Sequence, residues 1–249
     1  MNKFEKLKNE LNEIQPVSAT QFGTSIIVAP HPDDETLGCG GTIAALCKSK
    51  IPVHFIFVSD GTMSHPNSKK FPSLKLRKLR ELEAKNAVRK LGGDTGQIEF
   101  LRLKDSLVPN PEDIDFAPTV KKLVAQLNQI RPESVFVPWQ KDPHRDHQAT
   151  WKIMHEVFNR IEQVPRILEY PVWFWERGDS ADLQYIDHMA KLIVNIEDTL
   201  SMKNAALTAH VSQVTHLIDD DPEGFMLSPE VIAHFNTPIE VFFESKTQK

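Results

Sequence analysis

A Rossmann-like α/β fold, a three-layer sandwich with a mostly parallel sheet in a single domain, is predicted by three features of the 249-residue chain. Short apolar runs of strand length alternate with longer stretches of helical periodicity. Each early run opens into a loop of polar and turn residues, and glycines crowd the start of the first intervening helix. With 40% hydrophobic and 25% charged residues, the chain has the composition of an ordinary globular protein able to bury a substantial core. No internal repeat, low-complexity tract or Pro/Gly/Ser linker divides it, so the expected organisation is an accessory N-terminal helix within residues 1–22 and one domain over 23–249.

In order along the chain, Phe4, Leu7, Leu11 and Ile14 recur at helical spacing among lysines and glutamates, which predicts an amphipathic helix over residues 2–15. Ser25–Ala29 and residues 53–58 are apolar runs that read as buried parallel strands. Between them, residues 36–50 place Ile43, Ala44, Leu46 and Cys47 on one helical face, and the early glycines let that helix pack close to a neighbour. A second long helix is expected over 74–91, with Leu76, Leu79, Leu82, Ala87 and Leu91 as its stripe and Gly92-Gly93 as a left-handed stop. Residues 98–101 form the third strand, and a helix over Phe116–Ile130 leads into the fourth, Ser134–Pro138. Further on, residues 167–175 and 192–196 read as strands, 199–209 as a helix and 239–243 as a last short strand.

The formal net charge of −5 gives no basic field for a phosphate backbone or an anionic membrane, so nucleic acid is not expected as a partner. The N-terminus lacks a long apolar h-region, and no stretch approaches the roughly 18 apolar residues that span a bilayer, which points to the cytoplasm. Cys39 and Cys47 fit neither a CxxC pair nor a zinc ribbon and read as buried thiols.

Chemistry concentrates in two places. Directly after the first strand, Pro30-His31-Pro32-Asp33-Asp34-Glu35 puts an imidazole and three carboxylates at a strand's carboxyl end. Zinc accepts imidazole nitrogen and carboxylate oxygen, and a catalytic zinc keeps one position open for water. His31 and one aspartate can then be ligands while the other aspartate takes a proton, and spacing does not say which. The plainer reading makes all three acids caps of the following helix. After the fourth strand, Asp142-Pro143-His144-Arg145-Asp146-His147 supplies two more imidazoles. In the usual doubly wound order the first and fourth strands are neighbours, and ligands bind in the crevice between their carboxyl ends. One histidine can complete a metal triad and the other can act as general acid or electrophile, oriented by Asp146 or Asp142. Alone, this segment reads equally well as a helix start with incidental surface histidines.

In order and spacing, His31-Pro32-Asp33-Asp34-Glu35 and His144-Arg145-Asp146-His147 resemble the paired motifs of the LmbE/PIG-L family of zinc-dependent N-acetylglucosamine-type deacetylases. Ser59-Asp60-Gly61, Arg80 with Glu83, residues 103–105 and 132–138, His210-Val211-Ser212-Gln213 and Glu240-Val241-Phe242 extend the similarity over residues 23–243. The resemblance implies that His31, Asp34 and His147 bind one zinc per chain, that Asp33 is the general base and that His144 is its protonated partner. Other divalent metals can take the place of zinc. It implies a small-molecule substrate, an N-acetylated amino sugar or glycoconjugate cleaved to acetate and free amine, and a homo-oligomer, trimer or hexamer. Arg80, Asp60 and His210 are its candidate substrate-binding residues, against the plainer readings of a solvated arginine and of a histidine that caps or packs. Trp139, Trp173 and Trp175 offer a stacking face for a sugar, although aromatics beside strands are usually core.

Four other readings compete with the deacetylase. Gly38-Cys39-Gly40-Gly41 does not make GxGxxG, and the preceding acids would repel a dinucleotide pyrophosphate. A metallophosphoesterase commonly needs a second metal and more carboxylates. A non-catalytic metal-binding scaffold of the same fold, or an amidase acting on a non-acetyl sugar conjugate, differs from the deacetylase only in turnover or in the acid released.

Overall fold

The structure is a computed structural model and describes residues 3–244. The predicted ends at residues 1–2 and 245–249, and the side chain of Phe4, lie outside the described part. The elements run α1 (Lys3–Asn12), β1 (Ser25–Ala29), α2 (Asp34–Lys48), β2 (Val53–Ser59), α3 (Ser73–Lys90), β3 (Ile98–Leu103), α4 (Phe116–Ile130), β4 (Ser134–Pro138) and α5 (Arg145–Phe158). They continue with β5 (Arg166–Tyr170), α6 (Phe174–Arg177), α7 (Leu183–Ile186), β6 (Ala190–Asn195), α8 (Leu200–Leu207), α9 (Val211–Val214), α10 (Pro229–Phe235) and β7 (Ile239–Glu244).

Seven strands form one sheet in the order β3-β2-β1-β4-β5-β7-β6. β1 pairs in parallel with both β2 and β4, β3 extends the sheet beyond β2 and β5 beyond β4, and β7 runs antiparallel between β5 and β6. Strand alternation divides the core between the two faces of the sheet. Ile27 and Ala29 of β1 and Phe55 and Phe57 of β2 pack with α2, α3 and α8, whereas Ile26, Val28, Ile56 and Val58 pack with α4 and α5. A third cluster closes the far end of the sheet. In it, Leu7 and Leu11 of α1 meet Trp139, Phe174 and Phe243.

The glycines of α2 do what close packing requires. A Cβ on Gly38 would sit 2.3 Å from the Tyr170 ring and one on Gly41 would sit 2.5 Å from Ile196, so this helix lies tight against β5 and the α8 side. Gly92, at φ 83°, ends α3 as expected.

One expectation fails in the second half. Residues 167–175 are not a single strand: β5 stops at Tyr170, and Trp173 instead caps the short helix α6. The physical cause is Asp142, whose carboxylate takes the N–H groups of Val172, Trp173 and Phe174 at 2.8, 2.8 and 3.3 Å and turns the chain out of the sheet. Cys39 is buried and Cys47 only partly so, and both thiols are free. Among the described residues no helix is long and apolar enough to cross a membrane.

Candidate active site

The strand order reverses between β1 and β4, and the two polar loops leave the carboxyl ends of these neighbouring strands. The first loop folds back on itself: the His31 N–H donates to Asp34 Oδ2 at 2.9 Å and the Asp33 N–H to Glu35 Oε2 at 2.9 Å. Asp33 occupies the N-cap position of α2 but makes no side-chain capping bond, and its φ of 141° is one that side chains other than glycine's rarely adopt. A cap is therefore not what its carboxylate does. Asp34, in the first helical turn, lies with Oδ2 3.1 Å from His31 Nδ1 and 3.1 Å from His147 Nε2, so one carboxylate oxygen joins the two loops.

The second loop is held from behind. Asp142 Oδ1 lies 3.2 Å from His147 Nδ1, while its other oxygen binds the turn after β5. Asp146 Oδ2 accepts the Ser106 N–H at 2.7 Å and lies 3.2 Å from His31 Nε2. The carboxylates of the two aspartates thus orient His147 and His31 rather than His144. His144 caps α5 with its own ring, since its Nδ1 accepts the Asp146 N–H at 3.2 Å. Neutral His144 therefore carries its proton on Nε2.

The donor set suits a divalent cation. Ligand nitrogens of His31, His144 and His147 lie within 4.8 Å of one another, as do donor atoms of His31, Asp105 and Asp146. Both ring nitrogens of His147 are fully buried without a hydrogen bond, although carboxylates stand near them, so the deprotonated ring has one lone pair to give a cation. The local field asks for positive charge. Burial lowers the His31 and His147 pKa values, but the surrounding aspartates outweigh it, lifting His31 well above its usual range and His147 to about 9. Asp34 and Asp105 are held well below the carboxylate range, because their histidine partners override burial. A metal would displace those imidazole protons and satisfy the same field.

Asp33 behaves differently. Burial first, opposed by Arg80 and reinforced by Asp34, pushes its carboxyl up to about 6. Arg80 is 3% exposed and not a solvated surface residue: it donates to Asp33 Oδ2 at 3.1 Å, Pro32 O at 2.7 Å and Gly61 O at 3.0 Å. The local field disfavours the protonated His144 that the resemblance implies. Burial, then His31 and His147, push its pKa down to about 4, which leaves it neutral at pH 7.

These groups open on a cavity of about 160 Å³. Asp33, Asp34, His31, Arg80 and His144 line it, as do Asp105, Trp173 and Gln213. Two expected substrate contacts do not reach it. Asp60 accepts from Thr62 and from the Asp105 N–H, bracing two loops, and His210 is fully buried behind Asp33 with Nε2 3.0 Å from Glu35 Oε1. Trp139 is core against Phe174 and Phe243, and Trp175 borders a separate cavity near α10. Residue reasoning missed Asp105 as a partner of His31 and Gln213 as a wall of the cavity. Both stand within segments that carry the family resemblance, but neither has a sequence neighbour that announces chemistry.

The comparisons with known proteins agree with this geometry. The chain is 25% identical over 199 residues to the "Probable N-acetyl-alpha-D-glucosaminyl L-malate deacetylase 2" of Bacillus cereus, covering 78% of this chain and 86% of that protein. It is 26% identical over 220 residues to the diacetylchitobiose deacetylase of Thermococcus kodakarensis, covering 84% and 73%. The N,N'-diacetylchitobiose deacetylase of Pyrococcus horikoshii has the same fold, with a TM-score of 0.69 at 22% identity over 97% of this chain and 92% of that one. Residues 26–158, which hold both motif loops and the strands that bring them together, match the family described as "PIG-L: GlcNAc-PI de-N-acetylase", and to that family this chain belongs.

Proposed function

We propose that this protein is a zinc-dependent N-deacetylase that hydrolyses the acetamide of an N-acetylglucosamine-type amino sugar or sugar conjugate, releasing acetate and the free amine. The observation that carries the reading is Asp33. Its carboxyl, lifted to about 6 and pinned by Arg80, lines the same cavity as His31 and His144, two of three clustered imidazoles. Curated relatives named as deacetylases of acetylated amino sugars support the substrate class.

His31, Asp34 and His147 would hold the metal, a choice supported by Asp34 Oδ2 standing 3.1 Å from both rings. A divalent zinc ion there supplies Lewis-acid chemistry, acidifying water and polarising an amide carbonyl. Asp33 takes the proton from the attacking water. A carboxyl with a pKa near 6 can also return that proton to the leaving nitrogen, so water adds across the C–N bond with OH on the acyl carbon and H on the amine. Neutral His144 donates through Nε2–H to the carbonyl oxygen as negative charge grows there. Asp146 fixes both the His144 tautomer, through its backbone N–H, and the His31 ring, through its carboxylate. Trp173, with the Arg177 guanidinium 4.7 Å from its ring centroid and Phe225 edge-on at 5.8 Å, provides the apolar wall for a sugar face. A homo-oligomer belongs to the same reading and rests on the family resemblance.

The test is amine release from a panel of N-acetylated amino sugars and conjugates by metal-loaded protein. Appearance of equal amounts of acetate and free amine is expected. Release of a longer acid would favour the non-acetyl amidase, and metal binding with no release from any member would leave only the scaffold reading.

A further inference from the structure

Two arginines line the catalytic cavity, and the fold uses the charge of only one of them. Arg80 is buried and committed to Asp33, Pro32 O and Gly61 O. Arg177, at the end of α6, is exposed at the rim, and its guanidinium makes no hydrogen bond or ion pair with any described residue. An aromatic face holds it instead. The Arg177 N–H donates to Trp173 O at 2.8 Å, a four-residue spacing that puts both side chains on one side of the turn, and the guanidinium carbon lies 4.7 Å from the Trp173 ring centroid. The turn is fixed relative to the reacting groups, because the Asp142 carboxylate that takes the N–H groups of Val172, Trp173 and Phe174 also stands 3.2 Å from His147 Nδ1. The acids nearby are spent elsewhere. Asp33 meets Arg80, Asp34 meets His31 and His147, and Asp105 accepts the Met63 N–H at 2.8 Å and faces His31. Just beyond α6, Asp179 accepts the Ala181 N–H at 2.8 Å.

A guanidinium stacked by its face keeps its N–H edge free, and that edge matches the paired oxygens of a carboxylate or phosphate. The cavity, about 160 Å³, is smaller than the roughly 300–1,000 Å³ that encloses a drug-sized ligand. A conjugate whose acetamide meets Asp33 therefore leaves its second half at the rim, where Arg177 stands. We propose that Arg177 selects the substrate by its aglycone, binding one anionic oxyacid group, carboxylate or phosphate, on the moiety joined to the N-acetylated sugar. The proposal rests on the deacetylase reading and narrows its substrate class to anionic conjugates. Arg177 acts far from the bond that breaks, so it contributes to binding and specificity and not to the chemical step.

The experiment measures amine release by metal-loaded protein from three glycosides of N-acetylglucosamine that share one short aglycone, ending in a carboxylate, a phosphate or an uncharged carboxamide. Wild type is expected to favour at least one anion over the carboxamide by about 5- to 30-fold in kcat/KM, the range for one charge-assisted hydrogen-bonded pair at a solvent-exposed rim. The gain should sit in KM, because a contact remote from the reacting atoms is equally strong in the ground and transition states. Preference for one anion and not the other supports the proposal and names the oxyacid. Arg177→Met, which keeps an unbranched side chain against Trp173, should bring the ratio close to one, and Arg177→Glu should invert it. A side chain that merely supported Trp173 would slow all three compounds alike. Equal use of the three by wild type, or a preference that survives in both variants, overturns the proposal. Wild type that releases amine from none of the three fails the deacetylase reading and takes this inference with it, whereas the two results before it overturn the inference alone.

Discussion

Asp33 is held at φ 141° between a buried guanidinium and a buried carboxylate, and such conformations cost on the order of 1–3 kcal/mol that the surrounding contacts must offset. Asn shares Asp's tolerance of positive φ and can still accept from Arg80, so Asp33→Asn removes the proton acceptor and leaves the loop in place. Turnover should fall by about 10²- to 10⁴-fold with metal content unchanged, as read by kinetics beside elemental analysis. Retained activity, or loss of metal, would assign Asp33 a different job. His210 allows a separate test of its pairing with Glu35. Burial lowers its pKa, but Glu35 first, then Asp33 and Glu83, raise it above the ordinary 6.5. A raised folded-state pKa means that the stabilisation is complete below about pH 6.5 and fades as pH climbs through the raised value. The deficit of His210→Gln against wild type should therefore be largest in mild acid and shrink in alkali. Denaturant midpoints from pH 6 to 9 measure it, and a deficit independent of pH would mean that the ring acts by packing alone.

At the scale of elements, α2 decides how closely the helical layer sits on the sheet. The N–H groups of Gly41 and Thr42 both end on Glu240 of β7, at 2.8 Å each, and Lys203 of α8 meets the same carboxylate at 2.8 Å. One buried acid thus ties the first motif helix to the last strand and to a helix far along the chain. Gly41→Ala drives a methyl against the root of Ile196 and should lower stability by about 1–3 kcal/mol, typical of overpacking. For a chain of this length that is about 2–4 °C in Tm per kcal/mol. Removing the charge with Glu240→Leu strands Lys203 and should cost more, about 3–5 kcal/mol, as breaking a buried pair does. Thermal scans of both variants would separate the two costs. Equal losses would show that the ion pair adds nothing beyond volume.

At the scale of the molecule, the functional cluster depends on two loops more than 100 residues apart meeting where the strand order reverses. The aspartates gathered there repel one another, and the protons drawn onto His31 and His147 offset that repulsion only in part. A divalent cation that binds the folded chain and not the unfolded one should therefore stabilise the whole protein, by about 2.7 kcal/mol at a hundredfold excess over Kd. Zinc titration followed by calorimetry checks this. His147→Ala should abolish the rise in Tm, and an equal rise in that variant would place the cation elsewhere.

The early elements and both motifs were readable along the chain because they rest on local signals. Apolar runs mark β1, β2 and β4, and His31-Pro32-Asp33-Asp34-Glu35 and His144-Arg145-Asp146-His147 lie close to strand ends. The roles of individual residues were less readable. Ile167 through Trp175 is apolar enough for a strand, yet the Asp142 carboxylate, distant in sequence, breaks it at Tyr170. His210 and Asp60 carry the chemistry of substrate ligands, yet one is spent on Glu35 and the other on a turn. Sequence alone determined the layered fold and the identity of the reactive groups, because periodicity and residue chemistry are local properties. Only the tertiary structure decided which carboxylate serves which imidazole, that the His144 pKa is pushed down and that Gln213 stands beside the cavity, because burial, charge and hydrogen-bond competition are set by groups that the chain brings together from afar.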